Sequence, residues 1–308
     1  MLTKVLLADE QHIAQAARLL LAGEVVAFPT ETVYGLGALA DDPEAVAKVY
    51  EAKGRPSDNP LIWHVASADG VLPYVRVISP LAADLMRLFW PGPLTLVLAA
   101  KDPYPDTIAF RCPSHQVAHR LLELVGRPIA APSANLSGRP SPTQAKDVFE
   151  DLIGRIPLIL DGGPTHLGLE STVIDASGPK LYLLRPGSLP IEQIEEKLGV
   201  AIELEGGLLH RSPGTRYRHY APLAKVVTTE ELPSPRMLSG ASKAGLLTPY
   251  EMPIPGVWSK SYGQKGEHLF TMLREADREG IELLYVVLPI DQGLGRAIRD
   301  RLVRAANS

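Results

Sequence analysis

Cysteine is almost absent: Cys112 stands alone among 308 residues. A single thiol excludes an intrachain disulfide framework and any CxxC-type metal clip. Long apolar runs are missing too, and nothing approaches the roughly 20 residues that a membrane-spanning helix needs. The opening MLTKVLLADEQ has neither the long apolar core nor the small-residue cleavage site of a signal peptide. A cytoplasmic protein with no membrane association is expected. Strong charge of either sign is also lacking, but the net −4 hides an uneven spread: −8 over residues 1–205, +3 over 206–222 and +1 over 223–308. A mildly acidic body argues against a broad nucleic-acid-coating surface and draws attention to the few cationic clusters within it.

What is present points to an α/β fold. Over the first two hundred residues, short β-branched apolar runs alternate with amphipathic stretches. KVLLA (4–8) and EVVAFP (24–29) read as strands around a helix stopped by Gly23. DPEAVAKVYEAKG (42–54) reads as a helix with Pro43 in its first turn, a stripe of Val46, Val49 and Tyr50, and Gly54 as its stop. Strands LIWHV, LTLVLAA, TIAFRC, PIAAP, IPLILD, STVIDA and LYLLRP follow, with helices near 80–90, 115–125, 142–153 and 190–198. Several strands adjoin without a helix between them, so a mixed, twisted sheet is expected rather than a purely parallel one. The expected architecture is α/β with α+β character. It comprises a mixed-sheet domain over 1–205, a basic aromatic linker over 206–222 and a small Rossmann-like α/β domain over 223–308.

Polar residues collect where the strands end. FPTETVYGLG (28–37) sets Thr30, Thr32 and Tyr34 beside Gly35 and Gly37, as a ligand-facing loop or as a strand-to-helix turn capped by its own side chains. In KGRPSDNPLIWHV (53–65), Lys53 and Arg55 can complement the helix C-terminus; Arg55, fixed between Gly54 and Pro56, can equally grip a polyphosphate. His64, in an apolar strand, reads by itself as a core residue. Alternation in TIAFRCP sets Arg111 on the face opposite Ile108, Phe110 and Cys112, as a carboxylate clamp or a surface salt bridge. Cys112, with no adjacent base, reads as a small buried apolar residue. PIAAPSANLSGRPSPT (128–143) can present N–H groups and short hydroxyls to an anion, or turn into a helix capped near Ser141. It carries neither a P-loop nor a dinucleotide fingerprint. DGGPTHLGLESTVID (161–175) and LLRPGSL (183–189) repeat the theme with Glu170, Ser171, Thr172 and Arg185. Together these five stretches describe a deep polar site rimmed by loops on a rigid sheet.

In this order, PTETVYGLG, KGRPSDNPLIWHV, WPGPLTLVL, APSANLSGRPSPT, GLESTVID, LLRPGS and SPGTRYRHYAP resemble the YrdC-like family, specifically its long, two-domain threonylcarbamoyl-AMP synthases. The resemblance covers residues 28–222. Thr215 stands where long members usually have methionine, and the tail beyond 222 is shorter than usual. The resemblance implies a twisted mixed-sheet catalytic domain with a deep concave site. It also implies the reaction of L-threonine, bicarbonate and ATP to threonylcarbamoyl-AMP and pyrophosphate. The product would pass to a tRNA threonylcarbamoyl transferase for N6-threonylcarbamoyladenosine. By the same resemblance Thr32, His64, Arg111, Ala131 and Ser171 would bind threonine. Arg55, Asn59, Thr107, Ser133, Asn135, Ser141 and Arg185 would hold ATP, with Lys53 and Arg55 facing the reacting groups. Magnesium is expected with ATP, held by phosphates and water, because no dedicated carboxylate cage is visible. No metal site of the protein's own and no direct tRNA binding are expected.

The linker is unlike a bare tether, which would favour Gly, Ser or repeated Pro. Residues 212–222 offer Arg216, Tyr217, Arg218, His219 and Tyr220 instead. They are expected to fold over the mouth of the first domain as a lid, with Tyr220, and beside it His219 or Arg218, reaching ATP. Two other functions stay open on the sequence. One is an RNA-binding module, whose affinity would fall steeply with salt; the other is a carbamoyl-transfer domain acting on a different substrate.

Overall fold

A computed structural model describes residues 1–204, 220–239 and 243–307. Ten strands form its first sheet: β1 (Lys4–Leu7), β2 (Val26–Phe28), β3 (Gly35–Leu39), β4 (Ile62–His64), β5 (Leu94–Ala99), β6 (Thr107–Arg111), β7 (Ile129–Ala130), β8 (Leu158–Asp161), β9 (Thr172–Asp175) and β10 (Tyr182–Arg185). Their spatial order is β1-β8-β2-β3-β7-β4-β6-β5-β9-β10. The sheet is mixed, as expected: β1/β8, β2/β8, β4/β6 and β5/β9 are parallel, whereas β2/β3, β3/β7, β4/β7, β5/β6 and β9/β10 are antiparallel.

Helices α1 (Glu10–Leu21), α2 (Pro43–Lys53), α3 (Pro80–Phe89), α4 (Gln116–Val125), α5 (Ala145–Leu152) and α6 (Ile191–Leu198) cover it. Period-2 alternation divides the packing. Val26 and Phe28 of β2 join Leu20 of α1 and Leu121 of α4, while Ala27 between them joins Val49 of α2 and Val148 of α5. Helix α2 shows how local chemistry sets an element: the Asp42 carboxylate accepts the N–H groups of Glu44 and Ala45, and Gly54 closes the helix at φ 60°.

Two local expectations change. PTETVYGLG is no strand-to-helix turn: β2 and β3 form an antiparallel hairpin with Gly35 and Gly37 inside β3. A Cβ on Gly37 would lie 2.5 Å from Ile129 Cγ2 and 2.7 Å from Phe28 Cε1, so the cross-strand Phe28 ring requires glycine there. The helix expected from Ser141 begins at Ala145 instead, and Ser141 caps nothing; its hydroxyl is drawn away to Glu170.

The second sheet has the Rossmann-like character expected. Strands β11 (Lys225–Thr229), β12 (Ala244–Thr248), β13 (Trp258–Ser261) and β14 (Leu283–Val287) lie in the order β11-β14-β12-β13, every pair parallel. With them go α7 (Pro235–Ser239), α8 (Leu269–Arg278) and α9 (Leu294–Ala306). Val33 and Leu169 of the first sheet's loops are buried in one cluster with Phe270, Leu273, Ile298 and Leu302, so the two units share a core. Around it, Arg274 donates to both Asp151 oxygens (3.2 and 2.8 Å), Thr271 pairs with Thr143, and Arg278 reaches Asp147 and Glu150. The second domain therefore docks directly on the loops that border the site.

Candidate active site

A cleft of about 610 Å³, open mouth included, lies where the loops after β2 and β7 and the segments leading into β4 and β9 meet the ends of β4, β6 and β10. At one end Arg111 terminates β6. Its Nη1 donates to Thr32 Oγ1 at 2.9 Å, and its Nη2 lies 2.7 Å from Glu31 Oε1, both side chains being buried. Its Nη2 is thus held by Glu31, whereas Nε has no acceptor among the described residues. Burial would raise the Glu31 carboxyl, but the Arg111 charge, the Arg111 side-chain contact and the backbone N–H groups of Glu31 and Ser114 together hold it below the usual carboxylate range. Thr30 donates its hydroxyl proton to Val33 O (2.7 Å), so in the 2.9 Å pair between the two hydroxyls Thr32 must be the donor. What Thr32 can then offer a ligand is a lone pair.

His64 ends β4 beside them. Burial, then the nearby Arg111 charge, pushes it down to about 3, so the ring is neutral at ordinary pH. Its Nδ1 lies 3.2 Å from Ile62 O, which can only accept; the proton is therefore on Nδ1 and Nε2 is an acceptor. The Ala131 N–H is committed to Ile62 O at 2.9 Å, so a ligand contact at Ala131 must use its carbonyl.

The other end is cationic. Arg55 lines the cleft with its guanidinium near Asn59 O and Pro60 O (3.4 Å each), and burial lowers it to about 10, still charged. Arg185, at the end of β10, donates to the carbonyl (2.9 Å) and hydroxyl (3.3 Å) of Ser171. The Gly187 turn makes that approach possible, since a Cβ there would sit 2.2 Å from the backbone of Ser171 and Thr172. Ser133 lines the cleft on a loop zipped to β3 through Ala134 N–H to Tyr34 O (2.8 Å) and Leu36 N–H to Pro132 O (2.9 Å). Tyr34 is wholly buried and gives its hydroxyl to Gly163 O, so it serves the fold and not a ligand.

Glu170 joins the cleft to the second domain. Its Oε1 accepts from Ser141 Oγ (2.6 Å) and its Oε2 from Arg301 Nε of α9 (3.0 Å). Burial would raise its carboxyl, yet Arg301, Arg185 and the Ser141 hydrogen bond together hold it low. Tyr220 enters the cleft through a left-handed backbone (φ 65°), stacked on Phe270 at 5.4 Å with the Arg301 guanidinium 5.5 Å from its ring centre.

The cleft thus brings together Thr32, Arg55, His64, Arg111, Ala131, Ser133, Ser171, Arg185 and Tyr220. Four expected residues stand behind its wall. Lys53, expected at the reacting groups, is fully buried, and its ammonium is engaged by the carbonyls of Ser133 and Asn135; it positions their loop. Asn135 holds the same loop through Ser133, Leu136 O and Arg139 O. Asn59 is buried, its carbonyl accepting from Tyr50 (3.1 Å), and Ser141 sits behind Glu170. Thr107 is not brought in: it starts β6 four residues from Arg111, about 13 Å along an extended strand. It is exposed on a neighbouring groove that shares Pro60 and Leu61 with the cleft. Of the linker, Arg216, Tyr217, Arg218 and His219 lie outside the described residues. Sequence reasoning missed Glu31, Glu170 as a cleft residue, and Arg301. The first two carried a signal, an acid inside a hydroxyl-rich loop; Arg301 is one of four arginines on an amphipathic helix and carried none.

Fold and cleft together define an α/β enzyme whose cleft is lined by arginines and hydroxyls and whose lining serines are not set up as nucleophiles: Ser133 and Ser171 pair with Asn135 and Thr95, not with a histidine. A family profile described as telomere recombination, covering Sua5, YciO and YrdC, matches residues 18–187. A second, described as the C-terminal domain of threonylcarbamoyl-AMP synthase, matches residues 189–307. Threonylcarbamoyl-AMP synthase of Pyrococcus abyssi is 42% identical over 97% of this chain and 95% of its own length. That of Bacillus subtilis is 44% identical over 99% and 95%. The crystal structure of P. abyssi Sua5 complexed with L-threonine superimposes with a TM-score of 0.89 at 40% identity, covering 99% of this chain and 97% of that one. The chain belongs to the Sua5/YrdC family, as one of its two-domain threonylcarbamoyl-AMP synthases.

Proposed function

We propose that this cleft condenses L-threonine, bicarbonate and ATP into threonylcarbamoyl-AMP and pyrophosphate. The observation that carries the reading is the pairing of two unlike ends within one cleft. A buried arginine whose Nε has no acceptor among the described residues stands beside two acceptors, Thr32 and His64, and a second cationic end is formed by Arg55, Arg185 and Ser133. An amino acid matches the first end: Arg111 takes its carboxylate with Ser171, while Thr32, His64 Nε2 and the Ala131 carbonyl accept from its ammonium and hydroxyl. A polyphosphate matches the second.

The chemistry then needs no protein nucleophile. The ammonium of threonine gives up a proton to water, and the free amine then adds to bicarbonate with loss of water, giving a carbamate. A carbamate oxygen attacks the α-phosphorus, and the bond from that phosphorus to the bridging oxygen breaks to release pyrophosphate. Arg55 and Arg185 offset the charge that develops, and the cleft holds the reactants in line while sheltering the labile carbamate. Lys53 and Asn135 set the loop that carries Ser133. The adenosine end would run along Pro60 and Leu61, past Asn59, toward the groove of Thr107. Tyr220, which lines the cleft, closes over the nucleotide.

Magnesium would come as the counter-ion of ATP. Among the described residues lining the cleft Glu170 is the one carboxylate, and Ser141 and Arg301 already occupy its two oxygens. Phosphates and water are therefore the better ligands. The product is the activated donor for a tRNA threonylcarbamoyl transferase in the cytoplasm. No helix among the described residues is long and apolar enough to cross a membrane. The test is pyrophosphate release with each substrate withheld in turn: it should need both threonine and bicarbonate. Release that continues undiminished without threonine would overturn the reading.

A further inference from the structure

The second domain contributes more than a support, and the contribution runs through one side chain. Arg301 has no solvent exposure, and its partners lie on both sides of the domain boundary. Nε donates to Glu170 Oε2 (3.0 Å), Nη1 to Pro186 O (2.7 Å) and Asp300 Oδ2 (2.9 Å), and the guanidinium lies 5.5 Å from the Tyr220 ring centre. Glu170 is the point of interest. It lines a cleft otherwise furnished for anions, and a bare carboxylate there would repel each phosphate that enters. Its other oxygen takes the Ser141 proton at 2.6 Å.

We propose that Arg301 is a positioning residue of the nucleotide subsite: by pairing with Glu170 from the second domain it neutralises and withholds that carboxylate, so that polyphosphate can enter beside Arg185. The inference rests on the reading of this end of the cleft as the ATP site. It gives the second domain a defined role, because the subsite has its proper charge only when α9 is docked. Pro186 O and Tyr220 tie the same guanidinium to the RPG turn and to the end of the linker, so the three boundaries of the subsite share one cation.

The experiment is calorimetric binding to the full-length protein of two probes, L-threonine alone and α,β-methylene-ATP with Mg²⁺, for wild type, Arg301→Met, Arg301→Lys and the double variant Arg301→Met/Glu170→Gln. Arg301→Met leaves Glu170 unpaired and should weaken the nucleotide analogue at least about tenfold, with threonine affinity within about twofold. Arg301→Lys keeps the charge and should stay within about fivefold of wild type. The decisive arm is the double variant, in which removing the orphaned carboxylate charge should restore analogue binding to within about threefold of wild type. A merely structural arginine would not be rescued by a second lesion next to it. Analogue binding unchanged in Arg301→Met, or no recovery in the double variant, overturns the proposal. So does joint loss of threonine and analogue binding that Glu170→Gln does not repair. Wild-type protein that binds threonine but not the analogue would instead bring down the underlying reading of the subsite, and the inference with it.

Discussion

Arg111 and Glu31 face each other at 2.7 Å, each less than a tenth exposed, at the point where β6 meets the loop after β2. Nη2 is held by the Glu31 carboxylate and Nη1 by the Thr32 hydroxyl, while Nε has no acceptor among the described residues. The guanidinium is held in place by both contacts. Arg111→Lys keeps the charge but loses the planar fork, and threonine affinity measured by calorimetry should fall about 100-fold. Glu31→Ala leaves the buried cation uncompensated and should cost about 3–5 kcal/mol in urea unfolding. Full threonine affinity in Arg111→Lys would remove Arg111 from the carboxylate subsite.

Lys53 tests positioning against contact. Its ammonium is engaged by the carbonyls of Ser133 and Asn135, and its own carbonyl accepts the Ser137 N–H at 2.9 Å. Burial, then the neighbouring Arg55 charge, pulls it well below the usual lysine range. Lys53→Met should therefore loosen the loop: amide hydrogen exchange over residues 133–139 should accelerate, and the KM for ATP should rise about tenfold or more. A fall in kcat with unchanged exchange would point to direct contact with the reacting groups.

Tyr220 can be split into ring and hydroxyl. Tyr220→Phe preserves the stack on Phe270 and the cation beside it, and the KM for ATP should rise about three- to tenfold, the loss of one hydrogen bond. Tyr220→Ala removes the ring from a shared core and should cost about 3–5 kcal/mol as well. If the phenylalanine variant turns over like wild type, the hydroxyl does not reach the nucleotide.

His64 predicts a pH dependence of stability. In the fold its ring is pushed down to about 3 from an ordinary 6.5, so the unfolded chain binds the proton more readily. Its contribution to stability is complete above 6.5 and declines as pH falls from 6.5 toward 3, by about 1.4 kcal/mol per unit. Between pH 7 and pH 5 wild type should lose about 2 kcal/mol more than His64→Gln in urea unfolding. Equal losses would show that the imidazole is not held neutral.

Much of this protein was legible from the chain itself, because the relevant physics is local. Asp42, Pro43 and Gly54 bound α2 by capping geometry; alternation in TIAFRCP placed Arg111 opposite a buried Ile108, Phe110 and Cys112; and juxtaposed strand runs foretold a mixed sheet. The cleft-lining arginines and hydroxyls stood out because a polar residue ending an apolar strand needs a reason. Other features depended on which distant groups compete for the same proton or charge. Lys53 reads along the chain as a helix-end cation, yet two carbonyls from a loop eighty residues away enclose it. The Ser141 hydroxyl, expected to accept from a helix N-terminus, sits before a helix that starts only at Ala145 and donates to Glu170 across the fold. Arg301 is one arginine among four on its helix until the second domain docks and sets it, fully desolvated, against that same carboxylate. Apart from β3 and the start of α5, element type and the face a residue takes follow from neighbours along the chain, so the sequence alone determined them. The partner of a buried charge is chosen by long-range packing, and tertiary structure alone decided it.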